Sequence, residues 1–215
     1  MRALSPWKAG ILTALGVATG LLSAPPVFAL EEQAGETEAI KACERRLCTL
    51  LQQKDARGDD LKCALTKTWA KSTITEANQA SVQWGFGDAR CTVQIDINRA
   101  LIAAALTSGD KKHKFWVPPH TANCIVEEGG VARPLTATLA PKIEFRDGKA
   151  EKIWINLKSV EGPAGIKATL AAAAELTDKT GIFHRQMIKS VNRFMHKQCP
   201  SKYPLPQASS AKKGG

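Results

Sequence analysis

The chain has 215 residues, 44% of them hydrophobic, and its 30 Lys and Arg outnumber 20 Asp and Glu to give a formal net charge of +10. That length suits one domain with a substantial core, and no internal repeat or linker divides it. No stretch beyond residue 29 is apolar for the roughly 20 residues that a bilayer requires.

The first acidic residue is Glu31. Before it stand Arg2 and Lys8, an apolar run over residues 9–22, the break Ser23-Ala24-Pro25-Pro26 and the small-residue pattern Val27-Phe28-Ala29. Charged start, apolar middle and A-x-A-like end predict a secretory signal peptide over residues 1–29, cleaved after Ala29. No cysteine stands near that point, which speaks against a lipid anchor. The expected location is periplasmic or secreted. Cleavage removes two of the 30 basic residues and none of the 20 acidic ones, leaving +8. Outside the cytosol such a protein has little access to nucleic acid. Its natural counter-charges are an anionic envelope component or an acidic protein.

All six cysteines follow the cleavage point: Cys43, Cys48, Cys63, Cys91, Cys124 and Cys199. An even count in an exported chain predicts disulfides, with connectivity left open. No C-x-x-C pair or Cys/His block with zinc-finger spacing competes with that reading.

Residues 30–36 read as a short flexible leader, and residues 37–54 as a helix on which Ile40, Cys43, Leu47 and Leu50/Leu51 recur at three- and four-residue steps. At about 100° per residue, Cys48 lies about 140° around from Cys43, so the two predict different partners. After Arg57-Gly58-Asp59-Asp60 the period becomes two, and Leu61, Cys63, Leu65 and Trp69 mark a half-buried strand. A second strand is expected over residues 81–98. Its parity flips across Gly85-Phe86-Gly87-Asp88, the sign of a bulge or tight hairpin. Asn98 caps a short apolar helix through Leu106. A basic loop follows, then strand pieces over residues 115–117 and 122–127 interrupted by Pro118-Pro119, which suits an edge.

Over residues 135–158 the odd positions are apolar: Leu135, Ala137, Leu139, Ile143, Phe145, then Ile153, Ile155 and Leu157. A two-residue turn at Asp147-Gly148 sets Ile143 beside Lys152. A three-residue loop with Gly148 left-handed keeps both apolar rows on one face and pairs Leu139 with Ile155, so it is the expected hairpin. Lys152, Trp154, Asn156 and Lys158 then face solvent. Residues 166–180 form an Ala-rich helix capped by Gly181. A second helix spans residues 182–198, with Phe183, Met187, Ile188, Val191, Phe194 and Met195 on one arc and Arg185, Lys189, Arg193, His196 and Lys197 opposite. Residues 201–215 form a Pro/Ser/Lys/Gly-rich tail expected to be disordered.

The expected fold is α+β: one domain over residues 30–200, a single antiparallel sheet of five or six strands, and an N-terminal helix and two C-terminal helices packed on the sheet's apolar face. A sheet gripping helices resembles cystatin-like and helix-grip arrangements in outline, an analogy that carries no function.

No catalytic constellation is visible. Ser108 to Lys111 with Lys179-Thr180-Gly181 matches fragments of the serine penicillin-interacting motifs, yet Ser108 closes a helix and Lys179 joins two helices, the wrong contexts. His113, His120 and Cys124 lack a fourth ligand for a metal. His184 has no nucleophile motif beside it. Two basic clusters remain as anion-docking candidates, Lys111, Lys112 and Lys114, and the stripe Arg185, Lys189, Arg193 and Lys197. Trp84, Trp116 and Trp154 offer aromatic contact. The expectation is a non-enzymatic exported binding or accessory protein with no cofactor. The alternatives are a carrier of an apolar small molecule or lipid between sheet and helices, and a hydrolase built on His184 or His120.

Overall fold

The computed structural model describes residues 30–77, 84–181 and 184–206. The expected signal peptide, residues 81–83 of the expected second strand, Phe183 and residues 207–215 of the tail lie outside them. Helix α1, Glu36–Gln53, is followed by strand β1, Leu61–Trp69, helix α2, Lys71–Ala77, and strand β2, Ala89–Ile97. Helix α3, Arg99–Leu106, leads to β3, His113–Trp116, β4, His120–Glu128, and β5, Val131–Leu139. Strands β6, Lys142–Arg146, β7, Lys149–Trp154, and β8, Leu157–Glu161, precede helices α4, Ala164–Thr180, and α5, His184–Arg193. A π turn, Phe194–Gln198, and a final helix α6, Cys199–Lys202, close the order.

The α+β class holds, but the expected single sheet is divided in two. β1-β2-β4-β5-β8 form one antiparallel sheet and β3-β6-β7 another. The division falls at Ala140-Pro141, inside the run taken above as one apolar strand. Pro141 has no N–H for a ladder, and its carbonyl accepts instead from Val117 N–H at 2.9 Å. Leu139 therefore pairs with Leu157 in the large sheet, not with Ile155. Pro118-Pro119 likewise separates β3, an edge of the small sheet, from β4, an interior strand of the large one.

The Asp147-Gly148 turn also differs from expectation. It is the two-residue turn, with φ of 50° and 66° and Arg146 opposite Lys149. Both positive φ values fit a type I′ hairpin. The apolar faces are rescued by a register shift one step further in: Phe145 meets Ala150, Glu144 meets Lys152 and Ile143 meets Ile153. The extra residue, Glu151, supplies the slip that a longer loop was expected to supply.

Local signals account for the helices. Asn98 Oδ1 accepts from Ala100 N–H at 2.9 Å and Leu101 N–H at 3.3 Å, the expected cap of α3. Gly181, at φ 68°, ends α4 and donates to Thr177. The expected C-terminal helix is not regular to its end: Cys199 N–H reaches back five residues to the Phe194 carbonyl. The expected flexible leader is tied down, with Leu30 N–H donating to Asp88 Oδ2 at 3.0 Å. Beyond residue 200, Ser201 and Lys202 still belong to α6. Tyr203 then docks on α1, its hydroxyl on Glu44 and its carbonyl accepting from Gln52. The Lys202 ammonium, bonded to Glu44, holds that carboxyl below its ordinary value.

Three disulfides join Cys43 to Cys63, Cys48 to Cys199 and Cys91 to Cys124. Cys43 and Cys48 do serve different partners: one fastens α1 to β1, the other α1 to the C-terminal helix. The core forms two clusters. One gathers Leu50, Leu61, Ile102, Ala105, Leu106, Phe115, Phe145, Ala150 and Met195, and the other Ala89, Cys124, Val126, Leu135 and Ile166. Between them the row Leu65, Val93, Ala122, Ala137 and Val160 crosses the large sheet strand by strand. α1 packs on β1, α4 on β8 and α5 on β7. No described helix is long and apolar enough to cross a membrane.

Candidate functional site

The first core cluster does not close on itself. It surrounds a cavity of about 560 Å³ between the two sheets, bounded by α1, α3, α5 and the π turn. The deep end is made by Leu61, Ile102, Ala105, Leu106, Phe145 and Met195, all buried. Toward the surface the wall passes to half-buried Leu47, Leu65, Ile95, Val117 and Val191, and reaches exposed Ser190. Ser190 is the one polar side chain among the described lining residues.

Each wall follows from local pattern. Cys43, Leu47 and Leu51 are the four-residue row of α1, which a helix stacks along one face. Leu61 and Leu65 on β1, with Ile95 and Ile97 on β2, are the alternate residues of their strands. Phe115 lies opposite Ile143 across the small sheet. Phe194 and Met195 enter from the π turn.

Magnitude decides what such a space means. The space opens to solvent at Ser190, so its cost is that of apolar wall left against water, about 25 cal/mol per Å². Water entering through the mouth finds almost nothing to bond, whereas ordered water needs about two to four polar partners. A wall of this composition is more favourable against apolar groups than against water. The volume lies inside the range of about 300–1,000 Å³ usual for small-molecule sites.

Beside the mouth, the flank of α5 carries a second opening of about 530 Å³ lined by Arg185, Gln186, Lys189, Ser190 and Arg193. Three of the four residues of the expected basic stripe thus meet there, and Lys197 is exposed on the π turn beyond them. Lys111, Lys112 and Lys114 are also exposed but belong to the opposite, β3 edge of the small sheet. Lys112 there lies 3.6 Å from the buried carboxylate of Glu144. The two basic clusters therefore do not form one patch. A wider polar opening of about 910 Å³ lies between α1, the β1 start and α3. Its cations are already engaged: Arg99 bonds the Asp55 carbonyl and Gln53, and Arg46 bonds the Lys62 carbonyl.

The aromatic candidates separate. Trp116, 56% exposed, and Trp154 flank Lys142, whose Nζ lies 4.9 Å and 3.8 Å from their ring centroids. Trp84 instead joins the second core cluster, edge-on to Phe86 at 5.1 Å, with its indole N–H on the Gly87 carbonyl.

The histidines gather no catalytic neighbours among the described residues. His120 Nδ1 meets the Pro118 carbonyl at 2.5 Å and Nε2 accepts from Asp96 N–H at 2.9 Å, so both nitrogens serve backbone. His184 is half-buried, edge-on to Trp154 at 6.0 Å, with Nε2 unbonded. The His113, His120 and Cys124 spacing assembles nothing, since Cys124 is in a disulfide and the histidines stand on strands of different sheets.

Glu36 is the most strongly perturbed acid, and its role is structural. Burial alone would push its carboxyl up, but Oε1 accepts from Thr68 N–H at 2.6 Å and Lys67 Nζ at 3.1 Å. Oε2 accepts from the Thr68 hydroxyl at 2.9 Å. These donors, with Gln33 N–H, hold it down to about 2. No protein-family model, curated protein or solved structure matches the chain.

Proposed function

We propose that the protein is an exported, non-enzymatic carrier that holds an apolar molecule between its two sheets and its helices. The observation carrying this reading is the cavity of about 560 Å³ with a single polar side chain in its described wall. Hydrocarbon surface moved from water into such a wall is favoured by about 25 cal/mol per Å², with no charged or hydrogen-bonded partner to select for a polar substrate. Three disulfides fit an oxidising compartment, where such bonds form and persist. The absence of a nucleophile beside His120 and His184 leaves the hydrolase alternative without a supporting observation among the described residues. The test is a titration of the mature protein with an uncharged apolar fluorophore, which this reading expects to saturate at one molecule per chain.

A further inference from the structure

We propose that the ligand is a single-chain anionic amphiphile, a long-chain fatty acid, with its alkyl chain in the cavity and its carboxylate at the cationic flank of α5. The inference rests on the carrier reading and adds the ligand's class and orientation.

Ser190 carries it, because that residue lines both the apolar cavity and the opening formed by Arg185, Gln186, Lys189 and Arg193. The two spaces are neighbours across one turn of helix. Val191 faces the first while Lys189 and Arg193 face the second. Residues 185, 189 and 193 follow a four-residue step, so their charges form one row along the helix. No acid interrupts that row, for Asp178 is the last acidic residue in the chain. Arg185, Lys189 and Arg193 are exposed, and none is ion-paired among the described residues. Lys67, Lys112, Lys179 and Lys202 all have carboxylate partners. An unneutralised row of one sign attracts the opposite charge.

Cavity polarity fixes the orientation. Inside, a carboxylate would lose its hydration with no donor to replace it, which burial of charge does not tolerate. At the mouth it keeps water and gains the guanidinium and ammonium groups. Capacity fixes the chain number. At about 30 Å³ for a water-sized group, 560 Å³ holds roughly 15–20 such groups, enough for one long chain and not for two.

The experiment uses the mature protein loaded with N-phenyl-1-naphthylamine and displaces the dye with tetradecanoate or with 1-tetradecanol, at low and at high salt. The expected result is that the acid binds roughly tenfold tighter than the alcohol, the gain that two or three exposed charge contacts supply. High salt should narrow that gap. In Lys189→Glu/Arg193→Glu the preference should reverse, the acid weakening far more than the alcohol. The milder Lys189→Gln/Arg193→Gln should bring the two ligands level, and serves if charge reversal unfolds the chain. Equal affinities in the wild type overturn this inference, and the alcohol's binding then leaves the carrier reading intact. Displacement by neither compound overturns both.

Discussion

Replacing Glu36 by Gln tests whether the start of α1 is held to β1 by charge. The carboxylate receives Thr68 N–H, the Thr68 hydroxyl and Lys67 Nζ. Held at about 2 against an ordinary 4.5, the ionised form is favoured in the folded state by about 3 kcal/mol at neutral pH. The Lys67 side chain is 40% exposed, so solvent screening lowers that to about 2 kcal/mol. Because the folded value lies below the unfolded one, the folded state binds fewer protons in this range. The contribution is complete above about pH 4.5 and disappears as pH falls through about 2. Urea unfolding of wild type and Glu36→Gln, followed by far-UV circular dichroism from pH 7 to pH 2, measures it. The variant should be about 2 kcal/mol weaker at pH 7, with the two curves meeting near pH 2. A deficit of the same size at every pH would refute the reasoning, since it would mean that shape and not charge fastens this corner.

Asn192 donates to the Ala150 carbonyl and accepts from its N–H, both at 2.9 Å, and so covers the free edge of β7. Asn192→Ala should cost about 1–3 kcal/mol and speed hydrogen exchange at the Ala150 amide, read by NMR; unchanged exchange would contradict it. The Cys48–Cys199 bond spans a sequence separation of 151 residues and joins the first helix to the last. Cys48→Ala/Cys199→Ala should lower stability by about 2–5 kcal/mol in thermal or urea unfolding, and an unchanged midpoint would count against its role as the clasp of α1.

Where the fold was legible in sequence, a local rule was enough. Asn98 as a cap, Gly181 as a stop and the four-residue row of α1 each depend on neighbours within one or two turns. The apolar parity around Asp147-Gly148 placed Phe145 and Ile153 inside, but Glu144 and Ala150 are buried too and Trp154 and Asn156 are half-buried, because the slip at Glu151 and the break at Pro141 reset the faces. The division into two sheets was signalled only by Pro141, a residue whose missing N–H does not outweigh unbroken odd-numbered parity in a reading of pattern. The same limit hid the cavity. Leu47, Ile95, Ile143 and Val191 each read as ordinary core, and a space left between them is a property of elements distant in the chain. The basic stripe on α5 was visible as a helical arc, but its position beside an apolar mouth required α5 to be seated along β7.

The proposed carrier holds an apolar molecule in the space between the sheets. The direct measurement is fluorescence titration of wild type and Ala105→Phe with N-phenyl-1-naphthylamine, alongside their urea midpoints. Ala105 is 2% exposed at the cavity's deep end. Wild type should bind saturably at one molecule per chain, and the variant should lose binding with no loss of stability, because the added ring fits within the cavity of about 560 Å³. No saturable binding to the wild type, together with the roughly 1–3 kcal/mol destabilisation of an overpacked core in Ala105→Phe, would contradict the carrier reading.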